Sequence, residues 1–298
     1  MNGRGVVEKR RSVFQHPEAT IPGGVYLCQV SESVSCGACC GLYNRVDAFR
    51  ETLLKILSFR TREFQEIPRA ADAIEVFRLR MEHLESDPGI YPDFYCCPFL
   101  GLVGKQHSRV GCLLHPLSDG NRGIDFRGLS FYGGLACREY FCPPCRSLSA
   151  DRKEIVRAVC TDWYLYGLVI TDDAFTNAFF SEIDRRLGRN LHLKEIQENP
   201  GAAKAMKFFF NLRQNWPFRA VRWKGPGTYF FKDATYPPIP IEYEKMGCVV
   251  SRHDALFQAL GSGFKSCYAL EAAESILESS FSVLTQCLYA PTSDHLSC

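Results

Sequence analysis

Apolar residues recur along much of the chain at the three-to-four-residue interval of a helix. From Val46, the side chains of Phe49, Leu53, Ile56 and Leu57 fall on one face; after Pro68 a second face (Ile74, Phe77, Met81, Leu84) runs until "SDPG" stops it. Ile155, Val159, Trp163 and Tyr166 continue as one helical face behind Asp151 and Glu154, spaced like a capping box. A further helix is expected from Asp172 to Leu187, with Gly188 placed to end it and Asp172-Asp173 placed to cap its start. Helical patterns return at His253 to Phe257 and from Tyr268 to Tyr289. "FRAVRWKGPGTYFFK" predicts a hairpin near 218–232, followed by an extended "YPPIPIEY", and "LGSGF" at 260–264 reads as a loop rather than a nucleotide fingerprint. Residues 88–148 break this rhythm. They have little period and many Gly, Pro and Cys, as in "SDGNRGIDFRGLSFYGG", and are expected to lack a core of their own.

The fold class expected is therefore mainly α, with an irregular, cysteine-rich region and one short β-hairpin. The expected divisions are a tail over 1–27, a cysteine-cluster region over 28–148 with two inserted helices at about 46–86, and a helical carboxy-terminal region over 149–298. At 298 residues and 46% apolar content the chain can bury a sizeable core. A formal net charge of +2 gives no case for nucleic acid or an anionic membrane, and Lys9, Arg10 and Arg11 read as a short solvated run. The amino terminus lacks the apolar run of a secretory signal and no stretch is long enough for a membrane span, so the expected location is the cytoplasm.

That compartment bears on the 15 cysteines, because a reducing cytosol disfavours structural disulfides. Nine of the 15 lie between Cys36 and Cys145, and Cys28, Cys160, Cys248, Cys267, Cys287 and Cys298 are scattered. The scattered ones are expected to be packed as small hydrophobes, Cys28 least securely because it sits close to the cluster. Cys36 and Cys39 in "SCGACCGLY" form C-x-x-C, and Cys142 and Cys145 repeat it in "FCPPC"; this spacing lets two sulfurs converge on one metal. Cys97, Cys112 and Cys137 lie between, in "CPFLG", "GCLLHP" and "GGLACRE". Metal ligation would hold such loops without secondary structure, since binding free energy becomes folding free energy. Adjacent thiols, as at Cys39-Cys40 and Cys96-Cys97, cannot easily reach one tetrahedral ion, so each pair supplies one ligand or serves a polynuclear site.

The ordered run "CGACC", "CPFLG", "GCLLHP", "ACREYF" resembles the YkgJ-type cysteine-cluster family, described as zinc- or iron-chelating proteins with a C-x-x-C-x-x-C-C core. The matching positions are Cys36, Cys39, Cys40, Cys97, Cys112 and Cys137, with Arg138 after the last; the likeness covers residues 33 to about 146. Ser33 stands where that family has its first cysteine, leaving Cys28, or Cys142 and Cys145, to supply the missing ligand, and His115-Pro116 replaces an Arg-Pro. His115 is either a ligand or a hydrogen-bonding group. The metal ligands expected are thus Cys36, Cys39, Cys40, Cys97, Cys112, Cys137, Cys142 and Cys145, holding an iron-sulfur cluster, slightly preferred, or zinc. Three functions stay open: a structural or redox-active metal protein; a protein-modifying enzyme, since the flagellin lysine methylases carry a similar cluster; or an interaction module for a protein partner. For the last, "KFFFNL" and "TYFFK" are candidate surface patches, with core packing the stronger expectation.

Overall fold

The computed structural model describes residues 21–85, 89–221 and 240–289. Twelve α-helices and one two-stranded sheet occur among the described residues. The fold is mainly α with one short antiparallel hairpin. No helix among the described residues is long and apolar enough to cross a membrane.

The first two helices follow their apolar periods: α1 (Arg50–Gln65) buries Leu53, Leu57 and Phe64, and α2 (Ala71–Leu84) buries Ile74, Phe77 and Met81. Between them and the carboxy-terminal helices comes a segment with more order than its composition predicts. Strands β1 (Leu100–Val103) and β2 (Arg109–Cys112) pair antiparallel in the register Leu100 to Cys112 and Val103 to Arg109. The Thr61 hydroxyl of α1 donates to the Leu102 carbonyl at 3.1 Å and accepts from the Leu102 amide at 2.7 Å. Gly101 permits this approach, since a Cβ there would lie 2.6 Å from Thr61 Oγ1. Phe99, Leu113 and Leu114 then pack with Phe64, Phe77 and Met81 in one core. The expectation that residues 88–148 lack a core is thus corrected for the stretch around the hairpin.

Short helices α3 (Gly133–Glu139) and α4 (Pro144–Ser147) end the cysteine-rich part. The single helical face expected across 155–166 is two helices, α5 (Ala150–Val159) and α6 (Trp163–Ile170), because the Asp162 side chain accepts from the amides of Tyr164 and Leu165 and starts a new helix. The cap of α5 is Ser149, accepting from the Arg152 amide, rather than Asp151. Helix α7 (Asp173–Leu187) matches expectation: Asp172 Oδ1 accepts from the Phe175 amide at 2.9 Å and Gly188 closes the far end. Asp172 is also bridged by the buried guanidinium of Arg213 at 2.5 Å. Helices α8 (Leu193–Glu198) and α9 (Pro200–Asn215) had no counterpart in the periodic reading. Phe209 and Phe210 of α9 are fully buried while Phe208 is exposed, so most of "KFFFNL" is core. Then come α10 (Tyr243–Met246), α11 (Asp254–Ala259) and α12 (Cys267–Tyr289), the last packed along α9 and α7.

The hairpin expected near 218–232 and the extended run after it fall largely on residues 222–239, outside the described residues; from its described start, Arg219 bridges instead to Ser262. Cys248 and Cys267 form a disulfide, which corrects the expectation that each is packed alone. Cys160 and Cys287 are buried singly, as expected.

Packing crosses the middle of the chain. Val25, Leu27, Val34 and Cys145 join the core of α5 to α12, and Leu42, Tyr43 and Leu57 share a second core with Trp163, Tyr164 and Leu168. The Tyr166 hydroxyl donates to the Leu27 carbonyl at 2.9 Å, so residues just before the cysteine cluster are anchored to the helical half.

Candidate metal centre

The cysteine-rich segments meet where these cores join. Residues 28–36 fold back on themselves through a Gln29 to Ser35 bridge, and the Cys36 amide donates to the Cys28 carbonyl at 2.8 Å. A one-turn helix, Ala38–Cys40, follows, and Gly41 leaves it in the left-handed region with φ of 80°. A side chain at Gly41 would press against Cys96 Cα and the Tyr95 carbonyl, each at 2.7 Å. The close approach lets the Cys97 amide donate to the Cys40 carbonyl at 2.9 Å. Cys112 ends β2 opposite Leu100, and Cys137, on α3, lies with its sulfur 3.2 Å from Ser130 Oγ. Cys142 and Cys145 straddle the turn that starts α4, their sulfurs 3.9 Å apart.

The neighbours of each thiol show how the eight expected residues are grouped. Cys28, half-buried, lies within the field of Cys39, Cys36 and Cys145, and desolvation and those charges push its thiol well up. Burial, and after it Cys39, pushes Cys36 to about 12. Cys97 is held at about 12 chiefly by burial, with Cys137 and Cys39 adding to it, and Cys112 likewise by burial and then Cys97. The adjacent pair divides: a hydrogen bond from Cys40 lowers Cys39 against the effect of burial, and the same bond raises Cys40, which also feels Cys97 and Cys112. Cys142 is raised by its hydrogen bond to Cys145, which lowers the Cys145 thiol; Lys153 and Arg146 lower it further against burial. Thiols in one another's field cannot all ionise, unless a cation replaces their protons.

Eight expected cysteines therefore share one neighbourhood, and Cys28 joins them, the position that the missing ligand at Ser33 pointed to. Cys96 turns aside and donates to the carbonyls of Asn44 at 3.3 Å and Gly41 at 3.6 Å. His115 acts as a hydrogen-bonding group, its Nδ1 accepting from the Leu117 amide at 3.1 Å. Aromatic rings line the outer side. Tyr95 stacks on Phe131 at 4.5 Å with Tyr132 at its edge, and the hydroxyls of Tyr26, Tyr132 and Tyr140 are all raised mainly by burial, with Cys39 among the charges acting on each.

The sulfurs gather more loosely than ligands on a single ion. Among the described residues, the three ligand-bearing side chains whose donor atoms all lie within 4.8 Å of one another are Glu182, His253 and Glu278. Widely spaced in sequence, these carried no motif. Their carboxylates are already matched by arginines: Arg186 reaches Glu182 at 2.6 Å and Glu278 at 2.7 Å, Arg185 pairs with Glu182 at 2.8 Å, and Arg252 pairs with Glu278. A metal ion would have to displace guanidinium groups, so this set is an ion-pair network joining α7 and α12 to the turn before α11.

Compared with known proteins, no family model, no curated protein and no solved structure matches this chain. The likeness to the cysteine-cluster family accordingly rests on its motifs alone.

Proposed function

We propose that this is a metal-binding protein in which cysteine thiolates hold an iron-sulfur cluster or zinc where the cysteine-rich segments meet the helical half. One observation carries the reading: Cys36, Cys39, Cys40, Cys97, Cys112, Cys137, Cys142 and Cys145, drawn from five separate segments, act on one another's charge at one place. The donor set fits soft metals, for it consists of thiols, Cys97 and Cys145 buried and all the others but Cys137 half-buried, with small residues in the connecting turns. A cluster held there would supply electron transfer, whereas zinc would supply a cross-link. The protein's own part is to hold the thiols in reach through the Gly41 turn and the Cys40 to Cys97 hydrogen bond.

A second reading, in which the metal stiffens a platform for a protein partner, draws on the exposed Phe131, Leu135 and Tyr140 beside Cys137. The test is metal analysis and absorption spectroscopy of the full chain purified without oxygen. Iron with equimolar sulfide and a broad blue absorption band is the expected result for a cluster, and zinc with a featureless visible spectrum for the alternative. Replacing Cys39 and Cys97 together with serine should lower the metal content. An unchanged content, or a wild-type chain with neither metal, overturns the proposal.

A further inference from the structure

The thiols are divided by the packing around them. Cys145 lies inside the core of the carboxy-terminal helices, with Cys36 and Cys142 packed on that core. Cys97 lies inside the core beneath α2, with Cys40 and Cys112 packed on it. The core of Leu42, Tyr43, Trp163 and Tyr164 stands between, touched by Cys36 and by Cys40. Backbone hydrogen bonds follow the same division: Cys36 to Cys28 on one side, Cys97 to Cys40 on the other.

A charge supports it. Lys153 is completely buried, and its ammonium donates to the carbonyls of Gly23 at 2.7 Å and Cys145 at 2.9 Å. Among the described residues it forms no ion pair with a carboxylate. A buried cation without an anion is costly, and hydrogen bonds from two neutral carbonyls offset only part of that. Four thiolates on a divalent ion carry a net double negative charge, so a metal site beside Cys145 would supply the counter-charge that Lys153 otherwise lacks.

We propose that the chain holds two separate metal centres, one on Cys28, Cys36, Cys142 and Cys145 and one on Cys40, Cys97, Cys112 and Cys137, with the Cys39-Cys40 turn linking them. This rests on the thiolate-metal reading above and adds a centre that joins Cys36 to three thiols outside the family-like positions, Cys28, Cys142 and Cys145, with Lys153 as its counter-charge. Adjacent thiols stop being an obstacle, because only one of each pair, Cys40 and Cys97, is a ligand, while Cys96 turns to the carbonyls of Asn44 and Gly41.

The test titrates metal-free full-length chain with Co²⁺ in the absence of oxygen, following thiolate-to-cobalt charge transfer. The wild type should bind two equivalents. The double variant Cys142→Ser/Cys145→Ser should bind one, and that one should vanish when Cys97→Ser and Cys112→Ser are added. Cys28→Ser and Lys153→Met should each weaken one equivalent at least tenfold and leave the other unchanged, the retained equivalent reporting that the chain is still folded. A double variant that keeps both equivalents, or loses both together, overturns the division; an unaltered Cys28→Ser removes Cys28 from the first centre. A wild type that binds no cobalt overturns the metal-binding reading itself, an outcome distinct from the others.

Discussion

At Gly41 a single backbone angle determines how two cysteine segments meet. Its φ of 80° and the 2.7 Å approach of Cys96 Cα leave no room for a side chain. An alanine adds a left-handed penalty of about 1–2 kcal/mol and a steric clash with backbone that cannot rotate away. Gly41→Ala should therefore lower unfolding stability by about 2–3 kcal/mol in urea titration and weaken metal retention, whereas Gly24→Ala, with equally positive φ but open space around it, should show only the first penalty. Equal losses in the two variants would show that the close approach contributes nothing. The cysteine pattern itself was legible in the sequence, because C-x-x-C spacing is local. The membership of Cys28 was only half legible, since the hydrogen bond that sets it beside Cys36 depends on a bridge between Gln29 and Ser35 with no motif of its own.

Helices with a regular apolar face were readable, and the elements that were missed share a different origin. The four-residue strands β1 and β2 contain a glycine each and are joined by a loop without the usual two-residue turn, so alternation had too few positions to register. Their order comes from burial under α1 and α2, not from local preference. The break between α5 and α6 lies in the Asp162 cap, which interrupts a face that continues through it. These elements differ in how much they would depend on metal. Arg109 is buried and its guanidinium donates to Gln29 Oε1 at 2.9 Å, whereas α3 and the turn before it have no buried residue in the helix. Removing metal should therefore let trypsin cut after Arg138 within minutes while the bond after Arg109 stays protected, as read by mass spectrometry of the fragments. Cleavage at both sites at equal rates would mean that the hairpin has no stability of its own.

Across the whole molecule, the carboxy-terminal helices are tied together by the network around Glu278. Burial alone would raise this carboxyl, but hydrogen bonds from Arg186, Arg252 and His253 outweigh it and bring it down to about 2. An unfolded glutamate titrates near about 4.3, so the folded chain favours the ionised form, and stability from this group is fully present above about pH 5 and lost as pH falls towards 2. The gap in urea midpoint between wild type and Glu278→Gln should be constant from pH 7 to 5 and close below that. A gap that persists at pH 3 would assign the effect to packing instead.

The hydroxyl of Tyr43 donates to the Tyr164 carbonyl across a sequence separation of 121 residues, and Tyr166 reaches Leu27 across 139. A ribosome adding about 5–20 residues per second takes roughly 6–24 s to make the stretch between Tyr43 and Tyr164. The first thiols of the cluster are thus synthesised well before the side chains that will enclose them. During that interval Cys28 to Cys40 belong to a nascent chain without its final partners, open to oxidants and to competing metals. The core that packs against Cys36 and Cys40 can close only after α6 has been translated.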